Sequence, residues 1–278
     1  MVLPGTNGSH ALVSQNVIRG STLNPAVTPV LWQKPPTLAN PFTKKTLNIA
    51  VDKLKRCVEN VAIMLNAIEQ ISAIGVVPVI AIGSADHALP LADALIAGGL
   101  PVVEITFRTA AAAETIRILA KERPGLITGA GTVLTPENLA VARDAGAKFA
   151  VAPGLNPRVV SAAKAMGMPF VPGIATPSDI ETGLELGCKL LKFFPAEALG
   201  GAKMLSAMSA PYKHTGVTFM PTGGAKPENL ADYIKINTVA AVGGTWIAKP
   251  ADMAEGRWDE IAQRCRDALK TVAATRGA

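Results

Sequence analysis

From Gly75 onward the chain alternates short apolar runs with longer amphipathic or alanine-rich segments, and this alternation limits the possible folds more than any other feature. The runs are Val76–Ile82, Val102–Phe107, Leu126–Val133, Phe149–Ala152, Pro169–Ile174, Leu190–Phe194, Val217–Pro221 and Val239–Val242. Helical segments are expected between them, near 85–98, 110–122, 136–145, 157–166, 177–186, 200–209, 227–235 and 252–275. Runs that are apolar on both faces suit parallel strands covered by helices. Eight strand-plus-helix units in about 200 residues predict an α/β chain closed into a (β/α)8 TIM barrel near its usual minimum size. An open doubly wound sheet is the second architecture consistent with the pattern. Gly129-Ala-Gly131-Thr132, however, lacks the third glycine of a dinucleotide-binding fingerprint.

The residues before the barrel read differently. Residues 1–43 are rich in Gly, Asn, Pro, Ser and Thr, contain no Asp or Glu, and form an irregular extension. Residues 44–74 are expected to form an N-terminal amphipathic helix, with Leu47, Val51, Leu54, Val58, Val61, Leu65 and Ile68 spaced as a heptad seam. Ile63, Met64 and Ile71 widen its apolar face, which favours packing against a globular body. The barrel then occupies 75–278. An acid-free, Ser/Thr-containing start also fits an organelle transit peptide, and Met64 fits the start of a compact enzyme preceded by added sequence. Both readings stay open.

The net charge of +6 suggests nucleic acid until it is mapped. Residues 1–60 carry seven Lys/Arg against two acids, so five of the six charges lie there. The nearly neutral remainder has no basic stripe, and aromatics make up only 4% of the chain, so no nucleic-acid partner is expected. With 49% hydrophobic residues but no run of about 18, the chain reads as a soluble protein without a membrane span or secretory signal. Cys57, Cys188 and Cys265 lie far apart, as do His10, His87 and His214, which argues against a zinc site or disulfide framework and for a reducing compartment. Metal-free chemistry is expected.

Chemistry collects at the ends of the runs, where a barrel carries its catalytic side chains. Lys192 sits inside the run Leu190 to Phe194, which ends at Pro195. A desolvated amine is a nucleophile for a carbonyl carbon, so Lys192 is a candidate Schiff-base lysine. Alternatively it snorkels to solvent beside Lys189. In Val102-Val-Glu-Ile-Thr-Phe-Arg108, Glu104 and Arg108 share one parity and point to the barrel axis or its mouth. They form either a buried ion pair or, with Lys192, a site for an anionic ligand. Pro221-Thr-Gly-Gly224 and Gly243-Gly-Thr-Trp246 follow the seventh and eighth runs, where backbone amides of a barrel often hold phosphate. Each pair of glycines also fits a plain tight turn. Gly129-Ala-Gly-Thr132 and Ala152-Pro-Gly154 add a hydroxyl and an apolar turn.

In order along the chain, Val76-Val-Pro-Val-Ile, Glu104-Ile-Thr-Phe-Arg108-Thr, Gly129-Ala-Gly-Thr-Val, Pro153-Gly, Pro172-Gly-Ile, Lys192-Phe-Phe-Pro-Ala-Glu197, Pro221-Thr-Gly-Gly and Gly243-Gly-Thr-Trp resemble the 2-keto-3-deoxy-6-phosphogluconate aldolase family, also called the 4-hydroxy-2-oxoglutarate aldolase family. The resemblance covers about Asn66 to Ala273 and leaves residues 1–60 unmatched. It implies a class I aldolase that cleaves a phosphorylated keto-acid to pyruvate and glyceraldehyde 3-phosphate. Lys192 would be the imine-forming lysine and Glu104 the general acid/base. Arg108 and Thr132 would hold the pyruvate carboxylate, Pro153 and Phe194 would shape the pocket, and Thr222 would influence stereochemistry. Gly223, Gly224, Gly244 and Thr245 would bind phosphate; Thr245 stands where the family often has serine. The resemblance further implies a cytoplasmic homotrimer in the Entner–Doudoroff route, with neither cofactor nor metal.

Other activities fit the same residues. Within the family, 4-hydroxy-2-oxoglutarate or 2-keto-3-deoxy-6-phosphogalactonate is an alternative substrate. A barrel isomerase or synthase would use Glu104 as a base without covalent chemistry, and the unmatched extension fits an oligomeric scaffold with an idle site.

Overall fold

The computed structural model describes residues 67–277, so the expectations for 1–43, and for the amphipathic helix before residue 67, lie outside it. Residues 67–74 are helical (α1), with Ala67 and Ile71 buried. Gly75, at φ +83°, ends the helix by donating to Ile71 O at 2.9 Å, the left-handed cap that glycine adopts without a side-chain clash.

Nine strand segments follow: β1 (Val76–Ile80), β2 (Val102–Thr106), β3 (Ile127–Gly131), β4 (Phe149–Val151), β5 (Phe170–Val171), β6 (Gly173–Ile174), β7 (Leu190–Phe193), β8 (Thr218–Phe219) and β9 (Val242–Gly244). All pair in parallel, in the orders β5-β4-β3-β2-β1-β9 and β6-β7-β8. Pro172, which has no amide to give to a ladder, separates β5 from β6, so these two are halves of one stave. Bridges Phe219↔Val239 and Thr222↔Gly243 join β8 to the segment around β9 and close the ring. The result is a curled parallel sheet of eight staves, as the alternation predicts.

Its helices are α2 (Ala88–Ala97), α3 (Ala112–Glu122), α4 (Pro136–Asp144), α5 (Pro157–Met166), α6 (Pro177–Glu185), α7 (Gly201–Ser209), α8 (Pro227–Ile234), α9 (Pro250–Ala254) and α10 (Trp258–Arg276). Five of them start with proline, whose missing N–H costs nothing in a first turn. Three of those five are capped by the preceding side chain. Thr135 accepts from Asn138 N at 3.1 Å, Asn156 from Arg158 N at 3.0 Å, and Thr176 forms a capping box with Asp179. Among the described residues no helix is long and apolar enough to cross a membrane. Cys188 and Cys265 are buried free thiols, and burial pushes Cys265 up to about 12, which makes it a packing residue.

Two expected boundaries are corrected. The last strand is Val242–Gly244 and not Val239–Val242, because β1 pairs with it in the register Val76↔Val242 and Pro78↔Gly244. Gly243 and Gly244 therefore lie in the strand and not after it. The helix expected at 252–275 is two helices, broken where Gly256 takes φ +67° and Arg257 N turns back to donate to Asp252 O at 2.8 Å.

This break creates a buried ionic knot beneath the final loop. Asp252, 2% exposed, accepts from Arg257 Nε at 3.1 Å, from Lys249 N at 3.1 Å and from Arg264 Nη1, which also donates to Ile247 O at 3.0 Å. The Arg264 guanidinium, overcoming the opposing effect of burial and aided by Arg257, holds the Asp252 carboxyl far below the ordinary carboxylate range. A carboxyl depressed in the folded chain contributes stability that is complete above its unfolded pKa, near 4, and is lost as pH falls through the folded value. Asp252→Asn should therefore cost about 1.5 kcal/mol at pH 7, the low end for charged hydrogen bonds because both arginines reach solvent. In thermal melts across pH, the gap between the two proteins should be constant from pH 8 to 5 and close below about pH 4.

Candidate active site

Lys192 and Glu104 project into the barrel from opposite staves, β7 and β2, and meet. Lys192 Nζ donates to Glu104 Oε1 at 3.3 Å, with the lysine side chain 6% and the glutamate 0% exposed. The snorkelling alternative for Lys192 is thereby removed: the ammonium end lies inside, 5.6 Å from the centroid of the Phe194 ring. Glu104 uses only one of its oxygens. Oε2 is buried and has no hydrogen-bond partner among the described residues, an acceptor held ready at a cost in stability.

Small residues make room for this pair. A Cβ on Gly131, which lies on the neighbouring strand β3, would collide with the Glu104 carboxylate, so this glycine provides the floor on which Glu104 lies. Gly173 registers with Lys192 on β6, and a Cβ there would strike the Pro153 carbonyl, so the Pro153 turn closes directly against the lysine's stave. Thr106, one step beyond Ile105 on β2, donates to Ile80 O at 3.1 Å and accepts from Arg108 Nε at 3.2 Å. Arg108 thus lies at the exposed mouth and is not the ion-pair partner of Glu104. Thr132 is half-buried and, at φ +58°, occupies the left-handed region that a β-branched residue rarely adopts.

The glycine turns build a second zone beside the first. Thr222 N donates to Phe193 O at 2.9 Å, which ties the end of β8's stave to the lysine strand. After it the turn carbonyls are all engaged. Thr222 O accepts from Ala196 N at 2.8 Å, Gly223 O from Glu197 N at 3.0 Å, and Gly224 O from Asn229 Nδ2 at 3.3 Å. The amides of Gly223, Gly224 and Thr245 have no such partner among the described residues. Carbonyl oxygens turned away and amides left over form a concavity next to the N-terminus of α8 that can receive an anion. Gly243 plays a different part from the one expected, since its missing side chain leaves space for the Thr222 hydroxyl. Gly244 likewise accommodates the Trp246 ring.

The candidate site residues Glu104, Arg108, Thr132, Pro153, Lys192, Phe194, Thr222, Gly223, Gly224, Gly244 and Thr245 all lie in or just after the strands of their staves. Sequence reasoning assigned no role to Gly131 or Thr106 and missed the contact between Glu197 and Tyr233, whose hydroxyl donates to Glu197 Oε1 across 36 positions of chain. No local signal marks such pairs; for Gly131, its register with Thr106 on β2 would have been the clue. Among the described residues no group of three or more His, Cys, Asp or Glu side chains is arranged to hold a metal. A groove of about 480 Å³ lies at the other end of the staves, lined by Ile68, Met168, Phe170, Cys188 and Leu190. Neither Lys192 nor Glu104 lines it.

Comparison with known proteins places the chain in a family. The family model for KDPG and KHG aldolase matches residues 67–264. The 2-dehydro-3-deoxy-phosphogluconate aldolase of Haemophilus influenzae is 44% identical over 205 residues, covering 74% of this chain and 96% of that protein. The KHG/KDPG aldolase of Escherichia coli is 46% identical over 196 residues, covering 70% and 91%. A crystal structure of the KDPG aldolase from Legionella pneumophila, with pyruvate captured at low pH as a covalent carbinolamine intermediate, superposes with a TM-score of 0.68 at 39% identity, covering 70% of this chain and 95% of that one. The chain belongs to the KDPG and KHG aldolase family.

Proposed function

We infer that this chain is a class I aldolase, a carbon–carbon lyase that cleaves 2-keto-3-deoxy-6-phosphogluconate to pyruvate and glyceraldehyde 3-phosphate. The observation that carries the reading is the buried Lys192–Glu104 pair, with one glutamate oxygen on the amine and the other unpartnered. Lys192 Nζ attacks the C2 carbonyl of the keto-acid; loss of water from the carbinolamine leaves a protonated imine. Glu104, directly or through a water, removes the proton of the C4 hydroxyl. The C3–C4 bond then breaks, its electron pair passes into the imine to give an enamine, and glyceraldehyde 3-phosphate leaves. Protonation of the enamine carbon, with Glu104 as acid, and hydrolysis release pyruvate and the free lysine.

The remaining residues hold the two ends of the substrate. Arg108, anchored on Thr106 at the mouth, and Thr132 bind the carboxylate. Pro153 and Phe194 wall the pocket. Thr222, whose hydroxyl donates to Met220 O at 3.3 Å, faces C4 and bears on stereochemistry. The free amides of Gly223, Gly224 and Thr245, with the Gly244 backbone, receive the phosphate. Residues 75–278 carry all of this chemistry. The family resemblance adds a homotrimer in the cytoplasm to the reading.

Borohydride with pyruvate should attach a stable mass to the peptide containing Lys192, and Lys192→Arg, which keeps the charge but forms no imine, should abolish both adduct and turnover. An unlabelled peptide in the native chain would exclude the imine route. Glu104→Gln separates capture from cleavage. The amide exchanges no proton but leaves the lysine free to attack, so trapping should persist while turnover falls roughly 10²–10⁴-fold.

The name shared with KHG aldolase makes 4-hydroxy-2-oxoglutarate the competing substrate, and the galactonate epimer differs only at C4, beside Thr222. Loss of two or more charge-assisted hydrogen bonds, about 1.5–3 kcal/mol each, corresponds to at least about a hundredfold in kcat/KM. Steady-state rates should show that preference for the phosphorylated keto-acid. Equal values would make hydroxyoxoglutarate the working substrate.

A further inference from the structure

Two consecutive glycines in the left-handed region, Gly223 at φ +98° and Gly224 at φ +83°, have no intrinsic preference for that shape, so the turn needs a template outside itself. Glu197 supplies one. Its amide holds the Gly223 carbonyl at 3.0 Å, and its Cβ and Cγ lie under Gly224 so closely that a Cβ there would come within 2.6 Å of both. The same closeness creates a difficulty. It brings the Glu197 carboxylate to the edge of a turn whose amides are free for an anion, where a loose negative charge would compete for those amides and repel a phosphate.

Tyr233 determines where that carboxylate goes. The tyrosine is fully buried on α8, and its hydroxyl donates to Glu197 Oε1. Burial and the adjacent carboxylate push the phenol upward from its ordinary value, so it remains a donor through neutral pH. The first residue of α7 leaves space for the contact: a Cβ on Gly201 would stand 3.0 Å from Glu197 Oε1 and 3.6 Å from the Tyr233 oxygen.

We propose that Tyr233 and Glu197 are positioning residues for phosphate recognition: the tyrosine anchors the glutamate carboxylate away from the Gly223–Gly224 amides, and the anchored glutamate props the turn in its anion-binding shape. The proposal rests on the reading of that turn as the phosphate seat. It separates the two ends of the site, because the pair touches neither Lys192 nor Glu104.

The full chain and three variants test it: Tyr233→Phe, which keeps the ring, Glu197→Gln, and both together. Each is assayed on the phosphorylated keto-acid, on 4-hydroxy-2-oxoglutarate, for imine trapping with pyruvate, and for inhibition of the hydroxyoxoglutarate reaction by inorganic phosphate. Tyr233→Phe should raise KM for the phosphorylated substrate and the phosphate inhibition constant about tenfold, the equivalent of one charged hydrogen bond. Its kcat, its hydroxyoxoglutarate kinetics and its trapping should stay within about twofold, since the reacting end is untouched. Adding Glu197→Gln removes the loosened charge and should restore most of the phosphate affinity. Equal losses on both substrates would reduce Tyr233 to a structural role, and unchanged KM or absent rescue would likewise overturn the proposal. If Tyr233→Phe does not fold, Glu197→Gln alone decides. It sits at an exposed position and keeps an acceptor for the tyrosine, so phosphate inhibition should be as tight as in the native chain or tighter, and a tenfold weakening refutes the proposal. A native chain without any preference for the phosphorylated substrate would remove the phosphate seat itself, a failure visible before any variant is measured.

Discussion

The Lys192–Glu104 pair is the interaction to which the rest of the structure is fitted. Removing a carboxylate and an amine from water costs several kcal/mol for each charge, and a single 3.3 Å contact with one oxygen left unpartnered does not recover it. A chain selected only for stability would fill that volume with apolar side chains. The barrel instead surrounds the pair with rigid apolar staves, in which Ile105, Leu191 and Phe193 are wholly buried and fix the strands that carry the two groups. Where even a Cβ would collide it places glycine, at 131 under the carboxylate and at 173 beside the lysine's strand. Stability is conceded at the site and regained in the shell, as expected where local rules are broken for chemistry.

The two ends of the site share one backbone frame. Thr222 N reaches Phe193 O, Met220 N reaches Leu191 O, and Ala196 and Glu197 return to the Thr222 and Gly223 carbonyls. The strand that carries Lys192 is therefore laced directly to the Gly223–Gly224 turn. In the proposed reaction, a substrate held by its phosphate on that turn would be presented to Lys192 by short hydrogen bonds rather than by a flexible linker. The Asp252 knot supports the other side of the same cradle, because Arg264 pins the carbonyls of Trp246 and Ile247 just after Thr245.

The Gly223–Gly224 turn also shows how one short motif can reach several parts of the barrel mouth. In Lys192-Phe-Phe-Pro-Ala-Glu197 the lysine faces into the barrel, Phe194 lies against its amine, and Glu197 turns under the glycine turn to meet Tyr233. Six neighbouring residues thus link the buried amine, the aromatic ring beside it and the glycine turn.

Much of the fold was legible in the sequence because it is local. The alternation of apolar runs with helical segments marks every stave, a threonine or asparagine before proline announces three helix starts, and parity on β2 correctly turned Glu104 inward. The chemical types at the strand ends were legible as well, since few residues other than Lys192 and Glu104 have any reason to stand in such runs. What required the tertiary structure is whatever depends on pairing between distant segments. Glu104 and Lys192 are 88 positions apart, and only closure of the ring brings them within reach and removes Arg108 as the glutamate's partner. The last strand shifted from 239–242 to Val242–Gly244 because β1 decides its register, and propensity alone would not place two glycines in a ladder. The break at Gly256 depends on Asp252 finding two arginines, and the roles of Gly131 and Gly243 depend on side chains from neighbouring staves. Periodicity and turn chemistry act within a few residues and can be read in one dimension; register, closure and contact are properties of the assembled barrel.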